Sequence, residues 1–199
     1  MPSCEVKRLR ELLAAQSIDD PEIISCIDTI EFKLTSIKSE LTHDSLTDLL
    51  NQKGFIERLD TEIAHLERRD PSQGSLYVAY GDMDGLKTVN DTYGHDTGDD
   101  ALKHVAKVIA GVIRRTDFAA RLHGDEFVIG FPKAMINIKT IIYRIQDVLA
   151  TTPLITSTGQ RISLSITLAA VPYQSGQTPL EVMDAADQLM LAKKKPAHR

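Results

Sequence analysis

The sequence of 199 residues predicts an α+β domain, with an antiparallel sheet flanked by helices, behind an N-terminal helical segment. Strand-like and helix-like apolar patterns alternate from residue 75 to residue 171. Two of the strand-like stretches are separated only by a short turn that contains Gly and Asp. A seven-residue apolar repeat precedes this region. A chain of this length is long enough for one domain of about 150 residues and an appendage.

The composition is that of an ordinary globular protein, with 42% apolar and 26% charged residues. The formal net charge of −5 offers no basic surface, so we expect neither nucleic acid nor an anionic membrane as a partner. The N-terminus lacks an apolar signal segment, and no run of about 18 apolar residues would span a membrane. These observations predict a cytoplasmic protein with reduced thiols at Cys4 and Cys26.

The first 42 residues are predicted to be helical. Residues 4–17 have an amphipathic pattern, and a second helix is expected to begin at Pro21 behind an Asp20 cap. Six apolar residues of that helix recur at alternating intervals of four and three: Ile23, Ile27, Ile30, Leu34, Ile37 and Leu41. Such a seam is buried either on the chain's own domain or in a parallel dimer. We assign residues 1–42 to a coiled-coil dimerisation stalk and residues 43–199 to the globular domain.

The globular domain is expected to begin with a polar break and to continue with alternating strands and helices. The predicted elements are, in order, a helix over 55–69, a loop over 70–74, a strand over 75–80, a loop over 85–99 that opens a helix to 113, strands over 118–122 and 127–131, a helix over 136–150, a strand over 161–171 and a helix over 180–194 that Pro196 ends. From residue 75 to residue 171 this is the ferredoxin-like order βαββαβ, an antiparallel sheet with helices expected on one face.

Two carboxylates, Asp125 and Glu126, are predicted at the tip of the hairpin over residues 118–131. A lone turn of this composition is most simply a solvated tip. The ferredoxin-like order, however, places the first strand beside the hairpin, which brings Asp82 and Asp84 close to the same tip. Crowded carboxylates need a cation among them unless they are a chance group of solvated acids, and hard oxygen ligands favour Mg²⁺ or Mn²⁺. Paired divalent ions suit nucleotidyl transfer.

Several motifs in order resemble the diguanylate cyclase family, which is known for its GGDEF motif, over about residues 42–195. Residues 43–51 are similar to the family's opening motif, and residues 82–99 to its substrate loop. His123-Gly124-Asp125-Glu126-Phe127 stands at the position of GGDEF, and Ala186-Asp187 with Ala192-Lys193 is similar to the closing motif. The resemblance implies a nucleotidyl-cyclase or palm-like fold. It also implies a homodimer that condenses two GTP into cyclic di-GMP and releases two pyrophosphates.

The resemblance further implies roles for individual residues. Asp82, the Met83 carbonyl, Asp125 and Glu126 would be the ligands of Mg²⁺ or Mn²⁺, with two ions in each active site. Asp125 and Glu126 would also be catalytic, with Asp125 the favoured candidate for helping to remove the 3′-hydroxyl proton. Lys87 would stabilise charge on the phosphates.

Substrate binding is implied for five further residues: Asn90, His95, Asp99, Gly124 and Lys193. Asn90 and Asp99 would contact the guanine edge. A carboxylate accepts from the N1–H and 2-amino donors of guanine, which adenine does not present in that pattern, so Asp99 favours GTP over ATP.

Arg114 and Asp117 match the family's RxxD inhibitory site, where cyclic di-GMP would bind as a feedback inhibitor. The alternative is that both are ordinary surface residues.

The sequence departs from the family pattern at several positions. His123 replaces the first glycine of the signature, and the tail lacks the usual Gly-Arg-Asn. Other departures are Asp48 and Thr167 in place of glycines, Gln52-Lys53 in place of an Arg pair and Met190 in place of a tyrosine. They leave two other interpretations open: a catalytically degenerate domain that binds cyclic di-GMP or GTP as a regulatory module, and a scaffold that uses the heptad helix.

Overall fold

The structure, a computed structural model, describes residues 8, 11–12, 20–68, 75–134 and 137–194. The chain divides into an N-terminal unit, Met1–Thr42, and a C-terminal unit, His43–Arg199. Most of the helix predicted over residues 4–17 lies outside the described residues, as does Pro196. No helix within the described ranges is both long enough and apolar enough to cross a membrane.

The N-terminal unit contains helix α1, Pro21–Thr42. The Oδ1 atom of Asp20 accepts a hydrogen bond from the backbone N–H of Glu22 at 2.9 Å, as expected for a helix cap. Ile27 is buried, whereas the other residues of the predicted seam are exposed: Ile23, Ile30, Leu34, Ile37 and Leu41. The helix therefore presents an apolar stripe, and its assignment to a dimer stalk stays a prediction.

The described residues of the C-terminal unit form six strands in two sheets. They are β1 Ser75–Asp84, β2 Phe118–Arg121, β3 Glu126–Ala134, β4 Leu154–Ile155, β5 Arg161–Ile162 and β6 Ser165–Pro172. The main sheet has the order β2-β3-β1-β6, and every pairing in it is antiparallel. This is the order of the ferredoxin-like arrangement, so the predicted fold class is confirmed.

The prediction of a single strand over residues 161–171 is wrong, because the segment forms two separate strands. Its first two residues form β5, which pairs with β4 in a separate hairpin, and only the later residues join the main sheet as β6. Gly159, with a φ of +80°, lies between β4 and β5, and the chain reverses there.

The helices described beside the sheets are α2 Gln52–Glu67, α3 Leu86–Tyr93, α4 His95–Val112, α5 Ile138–Thr151 and α6 Pro179–Lys194. The prediction of a loop over residues 85–99 is therefore wrong, because most of this segment forms α3 and the first turn of α4. Val89 is buried and Leu86 is half-buried, which is enough of an apolar face for a short helix in a polar segment. Gly94, with a φ of +87°, separates the two helices.

Helices cover both faces of the main sheet, not one as expected. Ala79 and Ile129 belong to the cluster that α4 and α5 cover, whereas Val78 and Val128 belong to the cluster that α2 and α6 cover. Successive strand residues point to opposite faces. A strand as continuously apolar as β1 is buried on both faces, which requires helices on each. We call the face of the sheet that carries Val78 and Val128, which α2 and α6 cover, the α6 face.

Residues 43–50 lie along the edge of the main sheet. Leu50 bridges to Ala120 of β2, and its carbonyl accepts from the backbone N–H of Arg121 at 2.9 Å. Within this segment Asp48 has a φ of +59°, the left-handed conformation that glycine adopts most easily. A glycine, which the resemblance implies at this position, would adopt that conformation at lower cost.

Candidate active site

The register of the main sheet brings the predicted acidic residues together. Asp82 of β1 lies directly opposite Glu126 of β3 on one side and Thr167 of β6 on the other. Opposite residues share a face, and so do residues two apart in a strand, so Asp84 lies on the α6 face with them. The backbone N–H of Met83 donates to the carbonyl of Asp125 at 2.9 Å, which attaches the hairpin tip to the end of β1.

Asp82 is partly buried, with 17% of its side chain exposed. Its Oδ1 atom contacts the ammonium of Lys194 in an ion pair. That oxygen is buried and has no hydrogen bond of normal geometry among the described residues. Burial raises the pKa of Asp82, Lys194 opposes the increase, and the charges of Asp125 and Asp84 add to it.

Glu126 has two contacts from its own chain. Its Oε2 atom accepts a hydrogen bond from the hydroxyl of Tyr80 and lies 3.3 Å from Nε2 of His123. Burial and the Glu126 carboxylate raise the pKa of Tyr80, so the hydroxyl stays protonated and donates. Burial, together with the negative charges of Glu126 and Asp184, raises the pKa of Asp187 on α6. Asp187 is therefore a further carboxylate near Glu126.

Asp84 is held by two neutral donors. Its carboxylate accepts from the hydroxyls of Ser165 and Thr167, each at 2.8 Å. A glycine at position 167, which the resemblance implies, would not make the second contact.

The hairpin tip is held by Arg121. Its Nε atom donates to the carbonyl of Gly124 at 2.9 Å, and its Nη1 atom lies 3.2 Å from both carboxylate oxygens of Asp44. Burial opposes ionisation of Asp44, but the hydrogen bonds from Thr47 and the charge of Arg121 outweigh it and lower the pKa of Asp44. The edge segment and the tip are thereby joined by a partly buried ion pair.

The donor atoms at this site fit a hard divalent cation. They are carboxylate oxygens and a backbone carbonyl, without sulfur or imidazole among the predicted ligands. The buried Oδ1 of Asp82 already contacts a cation, the ammonium of Lys194, so this position accommodates positive charge. Among the described residues, no three His, Cys, Asp or Glu side chains are already arranged to hold a metal ion. Binding would therefore require Asp82 or Glu126 to exchange its present partner for the ion.

The predicted guanine-binding residues lie around the junction of α3 and α4. Asn90 of α3 is half-buried, and its side-chain oxygen lies against Gly98 of α4. Asp99 and His95 are exposed in the first turns of α4, and Lys87 is exposed on α3. The junction therefore presents polar side chains to an incoming ligand.

Lys193 and Lys194, at the end of α6, have different contacts. The Nζ atom of Lys193, predicted to bind substrate, donates to the backbone carbonyl of Leu168 at 2.9 Å. Lys194 contacts Asp82 instead.

The predicted product-inhibition residues lie just before β2. The carboxylate of Asp117 accepts from the backbone N–H of Arg114 at 2.9 Å, and Arg114 is exposed. Burial raises the pKa of Asp117, and the contacts with Arg114 oppose that increase.

Tyr80 and Lys194 are functional candidates that sequence reasoning missed. Tyr80 belongs to an apolar strand pattern, but it lies two residues before Asp82 and so shares its face. This spacing of two residues is the signal in the sequence that identifies Tyr80 as a candidate for the site. Three lysines are consecutive in the sequence, Lys193 to Lys195, and the sequence does not show which of them contacts Asp82.

Comparisons with known proteins agree with this architecture. The family described as "Diguanylate cyclase, GGDEF domain" matches residues 41–199. Diguanylate cyclase DosC of Escherichia coli K12 is 32% identical over 165 residues, which are 81% of this chain and 35% of that protein. YhcK of Bacillus subtilis, an uncharacterized protein, is 31% identical over 159 residues, 79% of this chain and 44% of its own length. The chain thus spans less than half of these two relatives.

A solved structure resembles nearly the whole chain. It is the coiled coil and GGDEF domain of DgcB from Caulobacter crescentus in complex with c-di-GMP, with a TM-score of 0.78, 28% identity and coverage of 95% of each chain. The GGDEF domain of DgcB alone has a TM-score of 0.71 and 32% identity, and covers 78% of this chain and 88% of that one. With the family match over residues 41–199, these similarities lead to one conclusion: the chain belongs to the GGDEF domain family.

Proposed function

We propose that this protein is a diguanylate cyclase that condenses two GTP into cyclic di-GMP and two pyrophosphates. The main supporting observation is the pairing of Asp82 with Glu126 across β1 and β3, with Asp125 attached to the same strand end. Relatives named as diguanylate cyclases are about one-third identical to this chain, which also supports the proposal.

The metal ligands in this proposal are Asp82, Asp125, Glu126 and the carbonyl of Met83, around two Mg²⁺ or Mn²⁺ ions. When bound, such ions lower the pKa of an attacking hydroxyl and neutralise a leaving pyrophosphate. The partly buried Asp82, which pairs with Glu126 across the two strands, supports this assignment.

The residues of this chain supply binding and proton transfer. Asp125, at the tip that Arg121 holds, takes the proton of the 3′-hydroxyl, assisted by Glu126. Lys87 stabilises charge on the phosphates of GTP.

Substrate selection falls to the junction of α3 and α4. Asn90 and Asp99 bind the guanine edge, and Asp99 selects guanine because its carboxylate accepts from two neighbouring donors. His95, Gly124 and Lys193 complete the substrate contacts. Lys193 would have to leave the Leu168 carbonyl to do so.

Turnover needs two copies of the chain, each holding one GTP, because the 3′-hydroxyl of each GTP attacks the α-phosphate of the other and releases pyrophosphate. The exposed Ile30 and Ile37 of α1 support a parallel coiled-coil homodimer, in which the two half-sites would face each other. We place this dimer in the cytoplasm. Arg114 and Asp117 form the site at which cyclic di-GMP inhibits the enzyme.

The alternative proposal is a catalytically degenerate GGDEF domain that binds cyclic di-GMP or GTP as a regulatory module. One observation favours it. His123 replaces the first glycine of the signature, and its imidazole lies beside Glu126, one of the proposed metal ligands.

Nucleotide chromatography after incubation with GTP and Mg²⁺ separates the two proposals. Cyclic di-GMP from the wild type and none from Asp82→Ala supports the cyclase. Recovery of GTP alone, at high protein and metal concentrations, contradicts it and supports the regulatory module. Binding of cyclic di-GMP at Arg114 would then be measured with Arg114→Ala as the control.

A further inference from the structure

The C-terminal end of α6 places two neighbouring lysines in different environments. The ammonium of Lys193 donates to a backbone carbonyl, that of Leu168 at 2.9 Å. The ammonium of Lys194 contacts the carboxylate of Asp82. These two neighbouring lysines therefore have different partners: Lys193 contacts the backbone, and Lys194 contacts a proposed metal ligand.

The carboxylate that Lys194 contacts has other carboxylates near it. Asp82 lies opposite Glu126, and the charges of Asp125 and Asp84 raise its pKa. An ammonium at this position reduces the repulsion among these groups, as a divalent ion would.

The contact is also of the kind that a metal ion can replace. The Oδ1 atom of Asp82 contacts Nζ of Lys194, and a lysine ammonium is a compact point charge whose place a divalent ion can take. About one-third of the Lys194 side chain is exposed, so the ammonium can leave toward solvent without crossing the core.

We propose that Lys194 is a built-in competitor of the divalent metal, an intramolecular cation that occupies Asp82 in the metal-free protein and is displaced when the metal binds. The proposal rests on the proposed function in one respect, the role of Asp82 as a metal ligand. It follows that metal binding releases the end of α6 from β1, and that Lys194 lowers the metal affinity of the resting protein.

Metal binding without nucleotide tests the proposal, with Mn²⁺ as the probe and the electron paramagnetic resonance signal of free Mn²⁺ as the readout. Lys194→Met should bind Mn²⁺ about fivefold more tightly than the wild type, the factor expected for loss of a competing, partly exposed ion pair. Lys194→Arg, which keeps the charge, should stay near the wild type.

Lys193→Met is the matched control. It removes the same charge from the neighbouring residue but does not touch Asp82, so its Mn²⁺ affinity should equal that of the wild type. Adding Asp82→Asn to Lys194→Met should abolish the gain in affinity.

Thermal unfolding supplies an independent readout. In the presence of a chelator, Lys194→Met leaves Asp82 without its cation, and Tm should fall by about 2–4 °C. Added Mn²⁺ should restore more stability to Lys194→Met than to the wild type.

The outcomes separate this proposal from the proposed function. Equal Mn²⁺ affinity in the wild type and Lys194→Met overturns it even where cyclic di-GMP is formed, and so does an equal gain in Lys193→Met. Tighter binding in Lys194→Met alone supports it even where no product appears. Absence of Mn²⁺ binding in every variant overturns this proposal together with the metal site.

Discussion

The side-chain oxygen of Asn90 lies almost where a Cβ atom on Gly98 would be: a carbon built there is 1.8 Å from Asn90 Oδ1. The absence of a side chain at Gly98 thus lets α3 and α4 meet with Asn90 between them. The conflicting atom is the end of a flexible side chain, so an added methyl group would move Asn90 and leave the backbone in place.

We expect Gly98→Ala to keep the fold and lose nucleotide affinity. Displacing Asn90 removes a guanine contact worth about 1–2 kcal/mol, or roughly tenfold in the dissociation constant of GTP. Calorimetric titration with a non-hydrolysable GTP analogue measures it. Gly111→Ala in the same helix is the control, because a Cβ there meets nothing within 4 Å. Unchanged GTP affinity in Gly98→Ala would remove Asn90 from the guanine site.

Asp48→Gly should stabilise the protein by about 0.5–1 kcal/mol, because Asp48 has a φ of +59° and glycine adopts that conformation at lower cost. Urea unfolding measures the change. Asp60→Gly, the same replacement inside α2, should destabilise by a similar amount because glycine is a poor helix former. Destabilisation by both replacements would show that a contact of the Asp48 side chain outweighs its backbone strain.

Asp44→Asn should lower the free energy of unfolding at neutral pH by about 1 kcal/mol through loss of the ion pair with Arg121. The pKa of Asp44 is lower in the folded protein than its ordinary value of 3.8. Its stabilising contribution is therefore complete above that value and is lost as pH falls through the folded pKa. Urea titrations at several pH values should show wild type and variant converging only in strong acid. A constant difference down to the lowest pH would contradict this.

His123→Gly should raise turnover about threefold, because it frees Glu126 from the imidazole 3.3 Å away. Stability should change little, since 71% of the His123 side chain is exposed. Pyrophosphate release with GTP and Mg²⁺ gives the rate, and His123→Gln tests whether bulk or the imidazole itself matters. A large loss of turnover would instead assign the imidazole a role with the nucleotide.

Ile30→Asp combined with Ile37→Asp should convert a dimer to a monomer and abolish turnover, while leaving the fold intact. Both side chains are about half exposed, so two carboxylates disturb a partner helix more than the chain itself. Light scattering after size exclusion gives the oligomeric state. Phe32→Asp, an equally apolar change outside the seam, is the control. Full activity in a demonstrated monomer would refute the dimer mechanism.

Local patterns predicted most of the secondary structure. The order βαββαβ and the position of Asp82 at the end of β1 follow from apolar periodicity, which reflects burial directly. The segment 85–99 was mistaken for a loop because its polar composition concealed two buried or half-buried residues, Leu86 and Val89, that are sufficient for a short helix.

The sequence by itself determined which acidic residues meet, because antiparallel register places Asp82 beside Glu126 once the strand order is known. Only the tertiary structure decided what each carboxylate contacts: Tyr80 for Glu126, Thr167 and Ser165 for Asp84, and Lys194 for Asp82. Those contacts depend on how α6 and β6 pack against β1. A rotation of α6 by one residue would exchange Lys193 for Lys194, and no local pattern in three consecutive lysines specifies that rotation.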